Sequence, residues 1–134
     1  MAFDDKFRLS SHAVITNNKD EVLLLKANYA DGNWGLPGGA LEPGETIHEA
    51  VIRECLEETG YNISVKYLSG VYYHRVYNSQ VFIFRCEIAR DSDIQLSSEH
   101  SAYKYAPIDT MSDVQMQRVK ECLAFSGYVA SAKF

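Results

Sequence analysis

Three glutamates stand close together in a segment with a helical pattern, and their carboxylates could bind a metal ion. Glu54 lies three residues before Glu57 and four before Glu58, so a helix would place all three on one patch of its surface. No lysine lies among the three glutamates to relieve their mutual repulsion, which favours a shared function. A solvated acidic face is the alternative interpretation. Carboxylate oxygens are the hard ligands that Mg²⁺ and Mn²⁺ prefer, so the pattern favours a metal site for a phosphate-bearing substrate.

The residues around these glutamates predict a loop that leads into a helix. Residues 30–44 are rich in glycine and proline, which indicates a loop with special backbone conformations. Residues 45–59 predict a helix because apolar residues recur at helical spacing, and Gly60 supplies its end. Arg53 lies one turn before Glu57, where it could pair with a carboxylate and fix its direction.

The rest of the chain predicts strands on both sides of this helix. Residues 12–16 and 21–25 are short aliphatic runs joined by a polar turn, which predicts a hairpin. Residues 63–77 and 80–89 alternate in the manner of two or three strands, and residues 97–107 predict a loop with a short strand.

A second helix is predicted to begin at Ser112 and to be the last element of the chain. Its buried stripe would consist of apolar residues at helical spacing, namely Val114, Met116, Val119, Cys122 and Leu123. Neither a repeat nor a linker divides the 134 residues, so the sequence predicts one mixed α/β domain over positions 1–134.

Composition excludes several classes of function. Thirteen basic against eighteen acidic residues give a net charge of −5, which argues against binding a nucleic-acid polymer. Cys55, Cys86 and Cys122 form no CxxC pair, so a disulfide scaffold or structural zinc site is not expected, and a reducing cytoplasmic location is favoured. The polar start of the chain and the lack of a long apolar run predict no signal peptide and no membrane partner.

The residues between positions 39 and 61 reproduce a known motif, G-x5-E-x7-R-E-U-x-E-E-x-G-U, in which U is a bulky aliphatic residue. All seven fixed positions match: Gly39, Glu45, Arg53, Glu54, Glu57, Glu58 and Gly60. The U positions hold Cys55 and Tyr61, which are apolar enough to pack. This motif is the Nudix box, so the chain resembles the Nudix hydrolases, the MutT-like superfamily, over about a sixth of its length.

The resemblance implies a fold and an activity. The Nudix fold is an α/β/α sandwich, in which a mixed β-sheet lies between the box helix and the C-terminal helix. Nudix enzymes use Mg²⁺ or Mn²⁺ to hydrolyse a phosphoanhydride bond in a nucleoside diphosphate linked to another group. The resemblance therefore implies a nucleotide pyrophosphohydrolase, with a non-catalytic nucleotide sensor on the same fold as the alternative. Many relatives are dimers, so a homodimer is compatible with it.

The resemblance also implies roles for the residues of the box. Glu57 and Glu58 would be the main metal ligands, and the backbone carbonyl of Gly39 would be a further ligand. Glu54 would either bind the metal or activate water, while Arg53 would orient the glutamates. In some relatives the base lies outside the box, which makes Glu99 a second candidate for that catalytic role beside Glu54.

The resemblance leaves several nucleotide substrates open. Tyr77 lies where dinucleoside-polyphosphate hydrolases carry a tyrosine, and residues 99–105 resemble both those enzymes and nucleoside-triphosphate pyrophosphohydrolases. The WGLPGG segment departs from the W-x-x-P-K-G-H pattern of the dinucleoside group. Arg8 could contact a phosphate. A nucleoside triphosphate or a dinucleoside polyphosphate is therefore expected, with ADP-ribose or a nucleotide sugar as the alternative.

Overall fold

A computed structural model describes residues 3–28, 32–88 and 93–134, which form two β-sheets and two α-helices. The elements in chain order are β1 (Arg8–Val14), β2 (Val22–Ala27), β3 (Trp34–Gly35), β4 (Gly38–Ala40), α1 (Ile47–Thr59), β5 (Ser64–His74), β6 (Ser79–Glu87), β7 (His100–Ala106), α2 (Asp113–Leu123) and β8 (Ala130–Lys133).

The larger sheet mixes parallel and antiparallel strands. Its five strands follow the order β4-β1-β6-β5-β8, in which β1 runs parallel to β6 and β5 runs parallel to β8. The smaller sheet is antiparallel in the order β3-β2-β7. The mixed α/β architecture expected from the sequence is therefore confirmed.

Two apolar clusters lie on opposite faces of the sheets, one under each helix. Because side chains of a strand alternate between faces, Ala13 joins the cluster that contains Val51 of α1, whereas Val14 joins the cluster that contains Val119 of α2. The chain is thus an α/β/α sandwich, as the resemblance implied. None of the helices in the described ranges is long and apolar enough to cross a membrane.

Helix α1 begins two residues later than the sequence pattern predicted. Thr46 has extended backbone angles and caps the helix, since its side chain accepts a hydrogen bond from the Glu49 N–H while the Glu49 carboxylate accepts one from the Thr46 N–H. Glu45 belongs to the preceding turn, where its N–H donates to the Glu42 carbonyl. The end at Gly60 is as predicted, with φ at +80°.

Helix α2 follows the predicted pattern closely. Ser112 caps it by accepting a hydrogen bond from the Gln115 N–H. Val119 and Cys122 are fully buried, and the rest of the predicted stripe is half-buried, namely Val114, Met116 and Leu123. The helix packs mainly against β5 and β6.

The predicted hairpin between residues 12–16 and 21–25 is only partly correct. A turn is present and Thr16 forms an isolated antiparallel bridge with Val22, but β1 and β2 then diverge into different sheets. The predicted loop 30–44 likewise contains β3 and β4, and its residues 30 and 31 lie outside the described residues. These differences arise because the strands form hydrogen bonds with partners that are distant in sequence, and local residue types do not encode such pairing.

Two further differences concern the second half of the chain. Residues 75–77, predicted as strand, form a short 3₁₀ helix that ends in Asn78 with φ at +48°. The predicted final helix is followed by β8, whose four residues pair in parallel with β5. Such a short strand shows too little alternation to be recognised without its partner. Residue 89 of the predicted strand 80–89 lies outside the described residues.

Candidate active site

Two consecutive glycines let the backbone of β4 approach its neighbours closely. Gly38 has φ at +146°, and a Cβ there would overlap the carbonyl oxygen of Ser11. A Cβ on Gly39 would lie 2.7 Å from the carboxyl carbon of Glu54, a separation that real Cβ atoms do not show. The predicted base and ligand Glu54 is therefore seated directly against the backbone of the predicted ligand Gly39.

Arg53 ties helix α1 to the loop that precedes it. Its Nε donates to Glu45 Oε2 at 2.6 Å and its Nη2 donates to Glu45 Oε1 at 2.9 Å, a bidentate pair. The same Nη2 donates to the carbonyl oxygen of Ala40 at 3.1 Å. These hydrogen bonds lower the pKa of Glu45 to about 2, so this carboxylate is ionised at neutral pH.

The remaining nitrogen of the guanidinium contacts the predicted metal ligands. Arg53 Nη1 donates to Glu54 at 2.9 Å and to Glu57 at 3.3 Å, and it lies 3.7 Å from Glu42. With Glu45, four carboxylates surround one guanidinium, which leaves an excess of negative charge at this junction. Burial raises the pKa of Glu54, whereas Arg53 opposes that shift.

Glu58 points to the other side of the glycine pair. Its side chain is only 5% exposed, its Oε2 accepts a 3.0 Å hydrogen bond from the Gly38 N–H, and its Oε1 lies 3.5 Å from His100 Nε2. Burial raises its pKa to about 8, and the nearby carboxylates of Glu54 and Glu99 act in the same direction. A cation beside Glu58 would offset both effects.

The chemistry of these side chains fits a divalent cation with hard oxygen ligands. The carboxylates around Arg53 outnumber its single positive charge, and burial disfavours the ionised form of Glu58, so a bound Mg²⁺ or Mn²⁺ would stabilise the carboxylates at both places. Across positions 3–28, 32–88 and 93–134, no three acidic, histidine or cysteine side chains are already closed around a metal position. Gly39, Glu54, Glu57 and Glu58 therefore stay predicted metal ligands.

Glu99, the second candidate base, lies in the turn immediately before β7. It is exposed, its N–H donates to Ser97 Oγ, and its carbonyl oxygen accepts from the Asn28 N–H. Its charge contributes to the raised pKa of both Glu54 and Glu58, which places it in the electrostatic neighbourhood of the box. The geometry therefore keeps Glu54 and Glu99 as the two candidates for the base.

A large cavity of about 890 Å³ opens beside the acidic junction and is lined by residues of β1, of the loop after β4 and of α2. Glu42 and Glu45 lie at its edge, and both substrate-contact candidates, Arg8 and Tyr77, line it. The two candidates are separated in sequence but are brought to one wall because β1 and β6 start side by side, with Arg8 opposite Ser79.

A smaller cavity of about 230 Å³ lies on the opposite side of Gly38. Glu58 and His100 line it together with His12 and Trp34. Of the predicted metal ligands, Glu58 lines the smaller cavity, whereas Glu45, which shares Arg53 with Glu54, lines the larger one.

Sequence reasoning gave no role to two residues of these surroundings, His100 and Arg118. The Nε2 atom of His100 lies 3.5 Å from Glu58 Oε1. Arg118 and His74 line the large cavity and contact each other, Nη1 to Nε2, at 3.1 Å. They are 44 residues apart, so no local spacing could have paired them.

Comparison with known proteins identifies relatives of this chain. A family model described as the NUDIX domain matches residues 6–123. The chain is 35% identical over 103 residues to a MutT-like protein of Streptomyces ambofaciens, covering 77% of this chain and 66% of that protein. It is 32% identical over 117 residues to the asymmetrical bis(5'-nucleosyl)-tetraphosphatase of Rattus norvegicus, covering 81% and 80% of the two chains.

The solved structures give the same fold. An ADP-ribose pyrophosphatase from Streptococcus suis superposes with a TM-score of 0.79 at 20% identity, covering 95% of this chain and 100% of that one. The chain spans about half the length of two further curated relatives that it matches, 47% and 44%.

Proposed function

The chain belongs to the Nudix superfamily, and on that premise we propose that it is a metal-dependent pyrophosphohydrolase of a nucleoside diphosphate linked to another group. The substrate class is a nucleoside triphosphate or a dinucleoside polyphosphate. The proposal rests on the junction of α1 with β4, where Glu54 lies against Gly39, Glu58 accepts a hydrogen bond from Gly38, and Arg53 contacts both Glu54 and Glu57.

The proposed chemistry assigns a separate task to each group. Bound Mg²⁺ or Mn²⁺ would lower the pKa of a water molecule and shield the charge on the phosphoryl oxygens. Glu54, which lies against the Gly39 backbone, accepts the proton of the attacking water, or Glu99, in the turn before β7, does so. The water oxygen bonds to phosphorus as the bridging P–O bond breaks, and the leaving phosphate keeps that electron pair.

Arg53 acts by position in this proposal. Its bonds to Glu45 and to the Ala40 carbonyl fix the guanidinium on the loop, so Nη1 holds Glu54 and Glu57 at one side of the helix. The carboxylates would then need little rearrangement to bind a cation, which keeps the reorganisation energy small.

Within the proposed substrate class, a relative named as a bis(5'-nucleosyl)-tetraphosphatase favours a dinucleoside polyphosphate, and the cavity lined by Arg8 and Tyr77 could hold a nucleoside. Other activities are alternatives to this class. Hydrolysis of ADP-ribose or of a nucleotide sugar would use the same carboxylates. A sensor without catalysis is disfavoured because it has no need of three glutamates around the glycine pair.

The test is turnover of a panel with Mg²⁺ or Mn²⁺, followed by phosphorus NMR in ¹⁸O-labelled water. The panel contains the four deoxynucleoside triphosphates, diadenosine tetraphosphate, ADP-ribose and nucleotide sugars. Metal-dependent cleavage of a triphosphate or of the tetraphosphate supports the proposal, and the label identifies the phosphorus attacked. Cleavage of ADP-ribose or of nucleotide sugars alone selects that alternative, and tight binding without turnover selects the sensor.

A further inference from the structure

A lysine lies over the ring of the tryptophan that lines the small cavity. Lys104 Nζ stands 4.2 Å from the centre of the Trp34 ring, and Trp34 forms part of the wall of the cavity of about 230 Å³. Lys104 is exposed and forms none of the ion pairs found within residues 3–28, 32–88 and 93–134. A cation–π contact is weak at an exposed site, so the ammonium group stays available to an anion.

The pairing of three strands brings these two side chains together. Trp34 on β3 lies opposite Lys26 on β2, and Lys104 on β7 lies opposite Leu24, two residues earlier on β2. Side chains that lie opposite each other share a face of the sheet, as do residues two apart along a strand. Lys104 therefore reaches across β2 to the indole ring, and the exposed Lys26 adds a second positive charge to the same face.

The small cavity has an acidic wall formed by Glu58. Two histidines line it as well: His100, which contacts Glu58, and His12, whose pKa is lowered to about 4 by burial and by the nearby Arg118. The other lining residues carry no charge. Glu58 would repel a bare phosphate, whereas Mg²⁺ bound beside Glu58 would attract one. The cavity therefore extends from a predicted cation position at Glu58 to the tryptophan that carries the ammonium group of Lys104.

We propose that Lys104 selects substrates by the length of their phosphate chain, because it binds the phosphates that extend beyond the metal through the small cavity. The chain begins at the cation beside Glu58 and reaches Lys104 over the ring of Trp34. Phosphate oxygens are strong acceptors, and an ammonium on a flexible stem can donate to any of them. The inference rests on the proposed function, because it names the residue that chooses among the substrates of that same site.

The large cavity is the competing place for these phosphates, since Arg8 and Arg118 both line it. Glu42 and Glu45 line the same cavity, so its two arginines are matched by two carboxylates. Its volume of about 890 Å³ is that of a pocket for a whole organic ligand rather than for a narrow chain. Lys104, in contrast, has no carboxylate partner among the described residues, which favours the small cavity for the phosphates.

Binding of inorganic phosphates tests this selection without turnover. Trp34 is the only tryptophan in the sequence, so its fluorescence reports on the contact with Lys104. In excess Mg²⁺, calorimetry should show that tripolyphosphate binds about ten- to a hundredfold more tightly than pyrophosphate, and tripolyphosphate should change the Trp34 emission more. Equal affinity of the wild type for the two anions would overturn the inference.

Variants of Lys104 assign the selection to this side chain. Lys104→Met should bind tripolyphosphate and pyrophosphate alike, because the additional phosphate has lost its partner. Lys104→Arg keeps the charge and should keep most of the difference in affinity. Lys66→Met removes another strand lysine, one that pairs with Glu87, and should behave as the wild type does. An unchanged preference for tripolyphosphate in Lys104→Met would contradict the proposal.

Nucleotides that differ only in chain length test the same selection during turnover. KM should fall by about tenfold from deoxyadenosine diphosphate to the triphosphate or tetraphosphate, and Lys104→Met should raise KM for the longer chains with kcat nearly unchanged. An equal loss at all three lengths would mean that Lys104 only supports Trp34, which would contradict the proposal. Loss of the length dependence in Arg8→Met, but not in Lys104→Met, would place the chain in the large cavity and would also contradict it.

The two assays separate failure of this inference from failure of the proposed hydrolysis. If tripolyphosphate binding depends on Lys104 while no nucleotide is cleaved, the selection by chain length stands and the hydrolase proposal fails. If nucleotides are hydrolysed but the wild type and Lys104→Met bind the inorganic phosphates alike, the hydrolase proposal stands and the inference fails.

Discussion

Arg53 and Arg118 stand on different helices in opposite electrostatic surroundings. Arg53 lies among four carboxylates, so its junction keeps an excess of negative charge even with the guanidinium present. Arg118 contacts an amide oxygen and a neutral imidazole, so its surroundings keep a positive charge. Each region therefore favours a different binding partner, a cation at the junction and a set of acceptors in the cavity.

The charges that surround an arginine indicate what a site can bind better than the net charge of the whole protein does. The protein is acidic overall, with a net charge of −5, yet the 890 Å³ cavity is lined by an arginine, Arg118, without a carboxylate partner among the described residues. Glu42 and Glu45 border both regions, since each pairs with Arg53 and each lines the cavity. The variants Glu57→Gln, Gly39→Ala, Arg53→Lys and Thr46→Ala each change one feature of the acidic junction or of the helix that carries it.

The largest effect is expected from Glu57→Gln, which removes one charge from the acidic junction. Turnover should fall by about a thousandfold, because a carboxylate ligand contributes several kcal/mol of charge stabilisation to a metal-assisted transition state. Glu57 is 57% exposed, so the fold should be unaffected. Steady-state kinetics with a Mg²⁺ titration measures the loss.

Glu87→Gln is the matched control for Glu57→Gln. Glu87 has nearly the same exposure, 58%, and pairs with Lys66 on β5, away from the junction. Its substitution should leave turnover unchanged. Full activity in Glu57→Gln would remove Glu57 from the predicted ligands.

A slightly smaller loss is expected from Gly39→Ala, which pushes the junction apart without changing its charge. The added Cβ would lie 2.7 Å from the Glu54 carboxyl group, so that carboxylate must shift. Displacement of a reacting group by about 1 Å can cost about a hundredfold in rate, and we expect kcat to fall by this order.

Gly35→Ala provides the comparison for Gly39→Ala. A Cβ on Gly35 meets nothing within 4 Å, so turnover should stay at the wild-type level. Thermal denaturation of both variants separates a local displacement from loss of the fold. Wild-type kcat in a folded Gly39→Ala protein would show that the seat of Glu54 against β4 is not needed.

Arg53→Lys keeps the positive charge of the junction and removes the fork that holds it. A lysine cannot reach Glu45 bidentately and also contact Glu54, so the carboxylates should lose their fixed direction. We expect metal affinity or turnover to fall between about tenfold and a hundredfold. Mn²⁺ binding followed by electron paramagnetic resonance measures the affinity directly, and an unchanged Kd together with unchanged kcat would contradict the positioning role.

Most of the acidic junction could be predicted from the sequence because its residues are close along the chain. The helical spacing of Glu54, Glu57 and Glu58, and the stop at Gly60, could be read from one segment. Thr46 and Glu49 are the residue types of a capping box, which would indicate a helix that begins after Thr46. The apolar spacing nevertheless predicted a start at Glu45, which lies in the preceding turn.

The cavity could not be predicted in the same way, because its residues come from distant strands and helices. Arg118 meets His74 across 44 positions, and Arg8 meets the start of β6 only through the parallel pairing of β1 with β6. The seat of Glu54 on Gly39 likewise depends on how closely β4 approaches α1, a distance that no residue pattern records.

The smallest effect is expected from Thr46→Ala, which weakens the start of the helix that carries the glutamates. The change removes the side-chain cap on the Glu49 N–H and should lower the free energy of unfolding by about 1 kcal/mol. Ser112→Ala removes the corresponding cap of α2 and should cost a similar amount. Urea denaturation measures both, and kinetics should show unchanged kcat in each, since Arg53 anchors the glutamates to the loop independently of the cap. A fall in kcat for Thr46→Ala alone would mean that the first turn of α1, rather than Arg53, sets the position of the carboxylates.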